Sequence, residues 1–157
     1  MRLLLVFILC ANWAIAGNIP IVSFQDLERI IQTKDDTLRV VNFWATWCKP
    51  CIEELPHFEK VSLEFKGKPV KVILVSLDFK SKADMVSAFT QRKNLKSTAL
   101  LLDQGNPNEW IDKISPQWSG AIPATLFVRG TKPVYQFHEG DFDYESLKQK
   151  VQQLTNP

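Results

Sequence analysis

The stretch Leu38-Arg-Val-Val-Asn-Phe-Trp44 constrains the fold more than any other part of the chain. It is short, β-branched and aromatic, and reads as a strand buried inside a central sheet. Helical patterns lie on both sides of it. Ser23 opens a capping-box-like Ser-x-x-Asp26, and Leu27, Ile30 and Ile31 follow at helical spacing, which predicts an amphipathic helix to about Thr33. From Pro50 the pattern is helical again, with Leu55, Phe58, Val61, Leu63 and Phe65 forming an imperfect apolar face. Pro56 predicts a kink there because it removes a backbone donor, and Gly67 closes the helix.

Val70 to Leu77 reads as a second apolar strand, and Ser81-x-x-Asp84 as the cap of a helix carrying Met85, Val86, Ala88 and Phe89. Leu100 to Leu102 is a short strand, after which Asn106-Pro107 starts a short helix through Trp110, Ile111 and Ile114. Ala124 to Val128 and Val134 to Phe137 form a hairpin across Arg129-Gly-Thr-Lys-Pro133, and Asp143 caps a last helix with Leu147, Val151 and Leu154. Strand, helix, strand, helix succession calls for parallel strands joined by right-handed crossovers, so the fold class is α/β. No repeat, low-complexity tract or linker divides the 157 residues, a length that suits one domain.

Met1 to Ala16 departs from this pattern. Arg2 precedes the apolar run Leu3 to Cys10, and Ala14-Ile-Ala16 ends it with small residues, the outline of a cleaved secretory signal peptide. Asn12 interrupts the segment, leaving an apolar run short of the roughly 20 residues that span a bilayer. Cleavage after Ala16 would remove Cys10, the first of three cysteines, and leave only Cys48 and Cys51. A structural disulfide elsewhere is then impossible. One tight loop is a poor staple, so redox chemistry is the better reading of the pair. Loss of Arg2 lowers the formal charge from +2 to +1, too near neutral to point to nucleic acid or an anionic membrane.

Cys48 follows a buried strand and begins a helix, where unsatisfied backbone N–H groups and the helix dipole favour a thiolate. A thiolate is the nucleophile of disulfide exchange, and a cysteine three residues on can displace the mixed disulfide. Cys48 is therefore expected to attack and Cys51, one turn in, to resolve. Glu54 shares a helix face with Cys51 and, if desolvated, would have a raised pKa suited to moving the Cys51 proton. The alternative for Glu54 is an exposed charge like that of Glu53. A peroxidatic site is not expected, because Ala45 stands three residues before Cys48 where an activating Thr or Ser belongs.

Phe43-Trp-Ala-Thr-Trp-Cys-Lys-Pro-Cys51, with Glu54 and Pro56 after it, resembles the thioredoxin superfamily, and more narrowly the TlpA/ResA-like branch of exported thiol-disulfide oxidoreductases. Gly120-Ala-Ile-Pro-Ala-Thr125 resembles that family's cis-proline loop. The resemblance implies a thioredoxin-like domain over residues 17–157 with a central mixed sheet. It implies a cis bond between Ile122 and Pro123, opposite the cysteines, where an extended substrate pairs. It strengthens the case for Glu54, since Asn42 stands where thioredoxins proper carry a buried aspartate.

The substrate surface is then expected to comprise Trp47, Lys49, Pro50, Ile122 and Pro123. Trp44 is assigned to packing, and Trp110 and Trp118 to anchoring residues 103–119. His57 and His138 lie in contexts that argue against a metal site, and no cofactor is expected. The branch implies an exported monomer, periplasmic in a Gram-negative bacterium, that reduces disulfides of exported proteins and draws electrons from a membrane-bound thiol donor. Apocytochrome c is one client class that the resemblance brings. A net oxidase or isomerase, a non-catalytic binding module and a copper-handling module are the other readings.

Overall fold

The computed structural model describes residues 18–130 and 134–155. The expected leader at residues 1–16, with Cys10, lies outside the described residues, as does part of the hairpin turn at 131–133. The strands are β1 (Ile21–Ser23), β2 (Leu38–Trp44), β3 (Val70–Ser76), β4 (Thr98–Asp103), β5 (Ala124–Arg129) and β6 (Val134–Glu139). The helices are α1 (Phe24–Ile31), α2 (Lys49–Glu64), α3 (Ala83–Arg92), α4 (Ile111–Ile114) and α5 (Tyr144–Thr155). One six-stranded sheet runs in the order β1-β4-β3-β2-β5-β6. β2 is parallel to β3, β3 to β4 and β4 to β1, while β5 and β6 return antiparallel, so the sheet is mixed.

Every residue of β2 is buried, and the strand is hydrogen-bonded along both edges. Because successive side chains point to opposite faces, Leu38, Val40 and Trp44 join the layer under α2 and α5, while Val41 and Phe43 join the layer under α1 and the aromatic segment after β4. Asn42 falls on the α2 side by the same alternation. Trp110 and Trp118 are buried and stack around Phe43 and Phe24, anchoring the segment from 103 to 119 to the body. Trp44 packs on Phe89 of α3.

Local expectations fare unevenly. The capping box forms, with Ser23 Oγ accepting from the Asp26 amide and Asp26 accepting from the Ser23 amide, although α1 ends at Ile31. Asp143 accepts from the Ser146 amide at 2.8 Å at the start of α5. α2 begins at Lys49 and continues through Pro56 as one element. Ser81 does not cap α3: residues Lys80–Lys82 already form a 3-10 turn, entered from an extended Phe79, and Lys82 precedes the helix without a side-chain cap. β1 was not expected. It has only three residues, too few to show a period, and it is recognisable only through its parallel pairing with Leu101–Asp103. Among the described residues no helix is long and apolar enough to cross a membrane.

Gly130 marks the tightest backbone approach, where the start of the β5–β6 turn meets the chain after α1. A Cβ there would collide with the Thr33 carbonyl oxygen and lie 2.8 Å from the Lys34 Cα, both backbone atoms. No side-chain rotation relieves such a contact. Gly130→Ala is expected to cost about 1–3 kcal/mol of stability, read as a lower midpoint in denaturant unfolding; an unchanged midpoint would show that the two segments separate freely.

Candidate active site

β2 delivers the chain to the carboxyl edge of the parallel strands, and the turn Ala45–Trp47 reverses it into α2. Cys48 is the extended residue that caps α2, its amide bonded to the Ala45 carbonyl at 3.1 Å. Cys48 and Cys51 are joined as a disulfide, with their Cα atoms 5.3 Å apart. The Cys51 amide donates to Cys48 Sγ at 3.3 Å, so a first-turn N–H without a helical partner is aimed at this sulfur. Cys48 retains 5% exposure and Cys51 none. An incoming group can therefore reach Cys48 first. Lys49 and Pro50 are exposed on the opening turn of α2, and Lys49 lies 3.8 Å from Glu53.

The loop before β5 faces this turn. The Ile122–Pro123 peptide bond is cis, and the Ile122 carbonyl oxygen lies 3.7 Å from Cys48 Sγ. Trp118 fastens the loop by donating its indole N–H to the Ala121 carbonyl at 2.7 Å. Gly120 holds a φ of +92°, a conformation that disfavours any residue with a Cβ. Trp47, in contrast to the other tryptophans of the site region, is 67% exposed beside Cys48.

Glu54 is buried to 2% exposure one helical turn beyond Cys51. Its Oε1 accepts from the Asn42 side-chain amide at 2.7 Å and its Oε2 from the Phe142 backbone amide at 2.9 Å. Asn42 also donates to Thr125 Oγ1 at 3.3 Å, its cross-strand neighbour on β5. Burial raises the Glu54 pKa to about 7, against the opposing pull of the two donors, and the nearby Asp141 charge adds to the rise. The carboxyl is thus not the exposed charge of the alternative reading. It can take up or release a proton near neutrality, one helical turn along α2 from Cys51.

Asp78, which sequence reasoning passed over, braces the turn from the other side. It is 1% exposed, and its Oδ2 accepts from the Thr46 amide at 2.9 Å and from Ser76 Oγ at 2.8 Å, while Oδ1 accepts from Thr46 Oγ1 at 2.6 Å. An acidic residue directly after an apolar parallel strand was the available signal, since a buried carboxylate needs partners. Cys48, Cys51, Glu54, Trp47, Ile122 and Pro123 therefore converge on one end of the sheet, with Lys49 and Pro50 on its outer rim. His57 Nδ1 lies 2.8 Å from the Phe142 carbonyl and His138 packs on the Phe142 ring. Among the described residues no group of His, Cys, Asp and Glu is arranged to hold a metal ion.

Known proteins share this architecture. A family model described as the AhpC/TSA family matches residues 20–136. The chain is 28% identical over 109 residues to a thiol-disulfide oxidoreductase ResA of Oceanobacillus iheyensis, covering 69% of this chain and 53% of the relative. It is 29% identical over 113 residues to the thioredoxin-like protein YneN of Bacillus subtilis, covering 71% and 62%. The chain thus spans less than two thirds of either relative. Among solved structures, a thioredoxin-related protein from Neisseria meningitidis serogroup B superposes with a TM-score of 0.69 at 23% identity, covering 81% of this chain and 91% of that one. The fold is therefore thioredoxin-like, and with the family model spanning the sheet from β1 into β6, the chain belongs to the AhpC/TSA family.

Proposed function

We propose that the protein is a thiol-disulfide oxidoreductase that reduces disulfides in exported proteins. The observation that carries this reading is the Cys48–Cys51 disulfide at the N-terminus of α2, with the more accessible sulfur 3.7 Å from the Ile122 carbonyl of a cis-proline loop. Relatives bearing the name thiol-disulfide oxidoreductase support it.

In the reduced protein the Cys48 thiolate, stabilised by the Cys51 amide and the helix N-terminus, attacks one sulfur of a client disulfide. The client S–S bond breaks, and its second sulfur leaves as a thiolate that is then protonated. The Cys51 thiolate attacks Cys48 Sγ, the mixed disulfide breaks, and the client departs with both sulfurs reduced. Two electrons have moved from the Cys48–Cys51 pair to the client, and an upstream thiol donor must return them. Glu54 accepts the Cys51 proton as that sulfur becomes nucleophilic. Trp47, Lys49, Pro50, Ile122 and Pro123 form the surface on which the client lies. The reaction needs no cofactor. Export, a periplasmic or other extracytoplasmic site, a monomeric state and a membrane-bound donor follow from the TlpA/ResA-like reading together with the leader-like residues 1–16.

Direction and client are read by two measurements. Cys51→Ser is expected to hold clients as mixed disulfides through Cys48, whereas Cys48→Ser holds none. Equal capture by both variants would reverse the assignment of roles. A redox titration is expected to give a potential well below the roughly −120 mV of a strongly oxidising dithiol; a value near that figure overturns the reductase reading.

Glu54 has its own signature. Its folded pKa of about 7 exceeds the ordinary 4.5, so between those values the folded state holds a proton that the unfolded state releases. Stability is therefore expected to fall as pH rises through this window, by on the order of 3 kcal/mol. Asp35, lowered to about 2 chiefly by its bond from Arg39, acts at lower pH and in the opposite sense. Denaturant unfolding of oxidised Glu54→Gln should lack the decline between about pH 4.5 and 7; the same slope in both proteins would place its origin elsewhere.

A further inference from the structure

We infer that Asn42 is a positioning residue for Glu54: its buried amide offers N–H to the ionised carboxylate and, after a half-turn, its oxygen to the protonated carboxyl. The inference rests on the proton-accepting role of Glu54 proposed above and names the residue that lets that role reverse.

Asn42 and Thr125 are buried and stand directly opposite each other on β2 and β5. Asn42 Nδ2 donates both to Glu54 Oε1, at 2.7 Å, and to Thr125 Oγ1, at 3.3 Å. Asn42 Oδ1 is buried as well and has no hydrogen-bond donor. One end of the amide is thus used twice and the other not at all. A buried acceptor without a donor is costly, and an amide exchanges its two ends by rotating about the Cβ–Cγ bond. Because Oδ1 is unpartnered, that rotation gives up no bond at its end. It carries Oδ1 to the place of Nδ2, within reach of Glu54 and Thr125.

The observed orientation suits the ionised carboxylate, which accepts at both oxygens, from Asn42 and from the Phe142 amide. A proton on the carboxyl needs an acceptor of its own. The Phe142 partner is a backbone N–H that can only donate, so Oε2 stays the accepting oxygen and the proton sits on Oε1. There the observed amide would set N–H against O–H. A half-turn removes the conflict: Oε1–H donates to Oδ1, and the Thr125 hydroxyl, which accepts in the ionised state, swings to donate to the same oxygen. An amide oxygen has two lone pairs as its nitrogen has two hydrogens, so the bonds to Glu54 and Thr125 are kept in both states. A buried carboxyl that loses no hydrogen bond on gaining or losing its proton is free to titrate near neutrality, in keeping with a pKa of about 7. The proton passes between Cys51 and Glu54, and Asn42 carries none. The other titratable groups about this carboxyl are Asp141 and Asp143 in the segment before α5, and His57 and His138, which meet Phe142 at its carbonyl and its ring.

The test is NMR of the full-length protein in its oxidised form, where the disulfide keeps Cys48 and Cys51 from titrating. The Glu54 Cδ shift reads the carboxyl, and Overhauser contacts of the Asn42 Nδ2 protons with Thr125 read the amide, between about pH 5 and pH 9. The contacts are expected above the Glu54 midpoint and lost below it, with one midpoint for both signals. Glu54→Gln should hold the amide in one orientation throughout, while His57→Gln and His138→Gln should leave the change in place. Asn42→Leu removes a donor to a charged oxygen, worth more than the neutral bond lost with it, so the Glu54 midpoint should rise by about one pH unit. The pH profile for resolution of a Cys48 mixed disulfide should move with it, which a simple loss of stability would not produce. Contacts that persist on both sides of the Glu54 midpoint, a change that vanishes with either histidine, or an unmoved midpoint in Asn42→Leu overturn the switch and leave the proton role standing. A Glu54 Cδ that does not titrate in this range overturns the proton role itself.

Discussion

Hydrogen bonding of β2 along both edges, parallel to β3 and antiparallel to β5, is the constraint on which the site depends. The parallel partner lets the chain leave β2 at the edge where β3 also ends, so Thr46 and Asp78 meet. The antiparallel partner begins where β2 finishes, with Ala124 opposite Phe43, and so places the Ile122–Pro123 peptide across from the sulfurs. Three loops that are distant in sequence thereby share one rim. A register slip of one residue would turn Asn42 away from α2 and remove a partner of Glu54.

Within that frame the buried carboxyl sits in a balance of opposing effects. A charge at a fully apolar position would be prohibitive, and a fully satisfied one would be held permanently ionised. Glu54 lies between these limits, with strong desolvation offset by two donors. The balance leaves it near neutrality. Because its donors come from β2 and from the segment before α5, this poise belongs to the tertiary fold and not to the helix that carries the residue.

Legibility in the sequence tracked how local the determining physics is. The central strands and the helices after them announced themselves through burial patterns in Leu38–Trp44, Val70–Ser76 and Ala124–Arg129. Cys48, Cys51 and Glu54 were visible because their relation is a spacing along one helix. The desolvation of Glu54 was only an inference, since Asn42 is 12 residues away and Phe142 is 88. β1 was hidden because a three-residue edge strand exists through its partner, β4. Ser81 misled because a Ser-x-x-Asp pattern fits a cap only where the backbone is extended, and here the extended residue is Phe79. Asp78 went unread because its partners, Thr46 and Ser76, gain meaning only once β2 and β3 lie side by side.

The Asp78 contact joins two turns at the rim of the sheet. Cys48, Cys51 and Glu54 lie at the start of α2, whereas Trp47 and Phe79 each follow one of the two residues, Thr46 and Asp78, that the carboxylate joins. The turn that carries Cys48 into α2 thus takes its position from the end of β3 as well as from the helix.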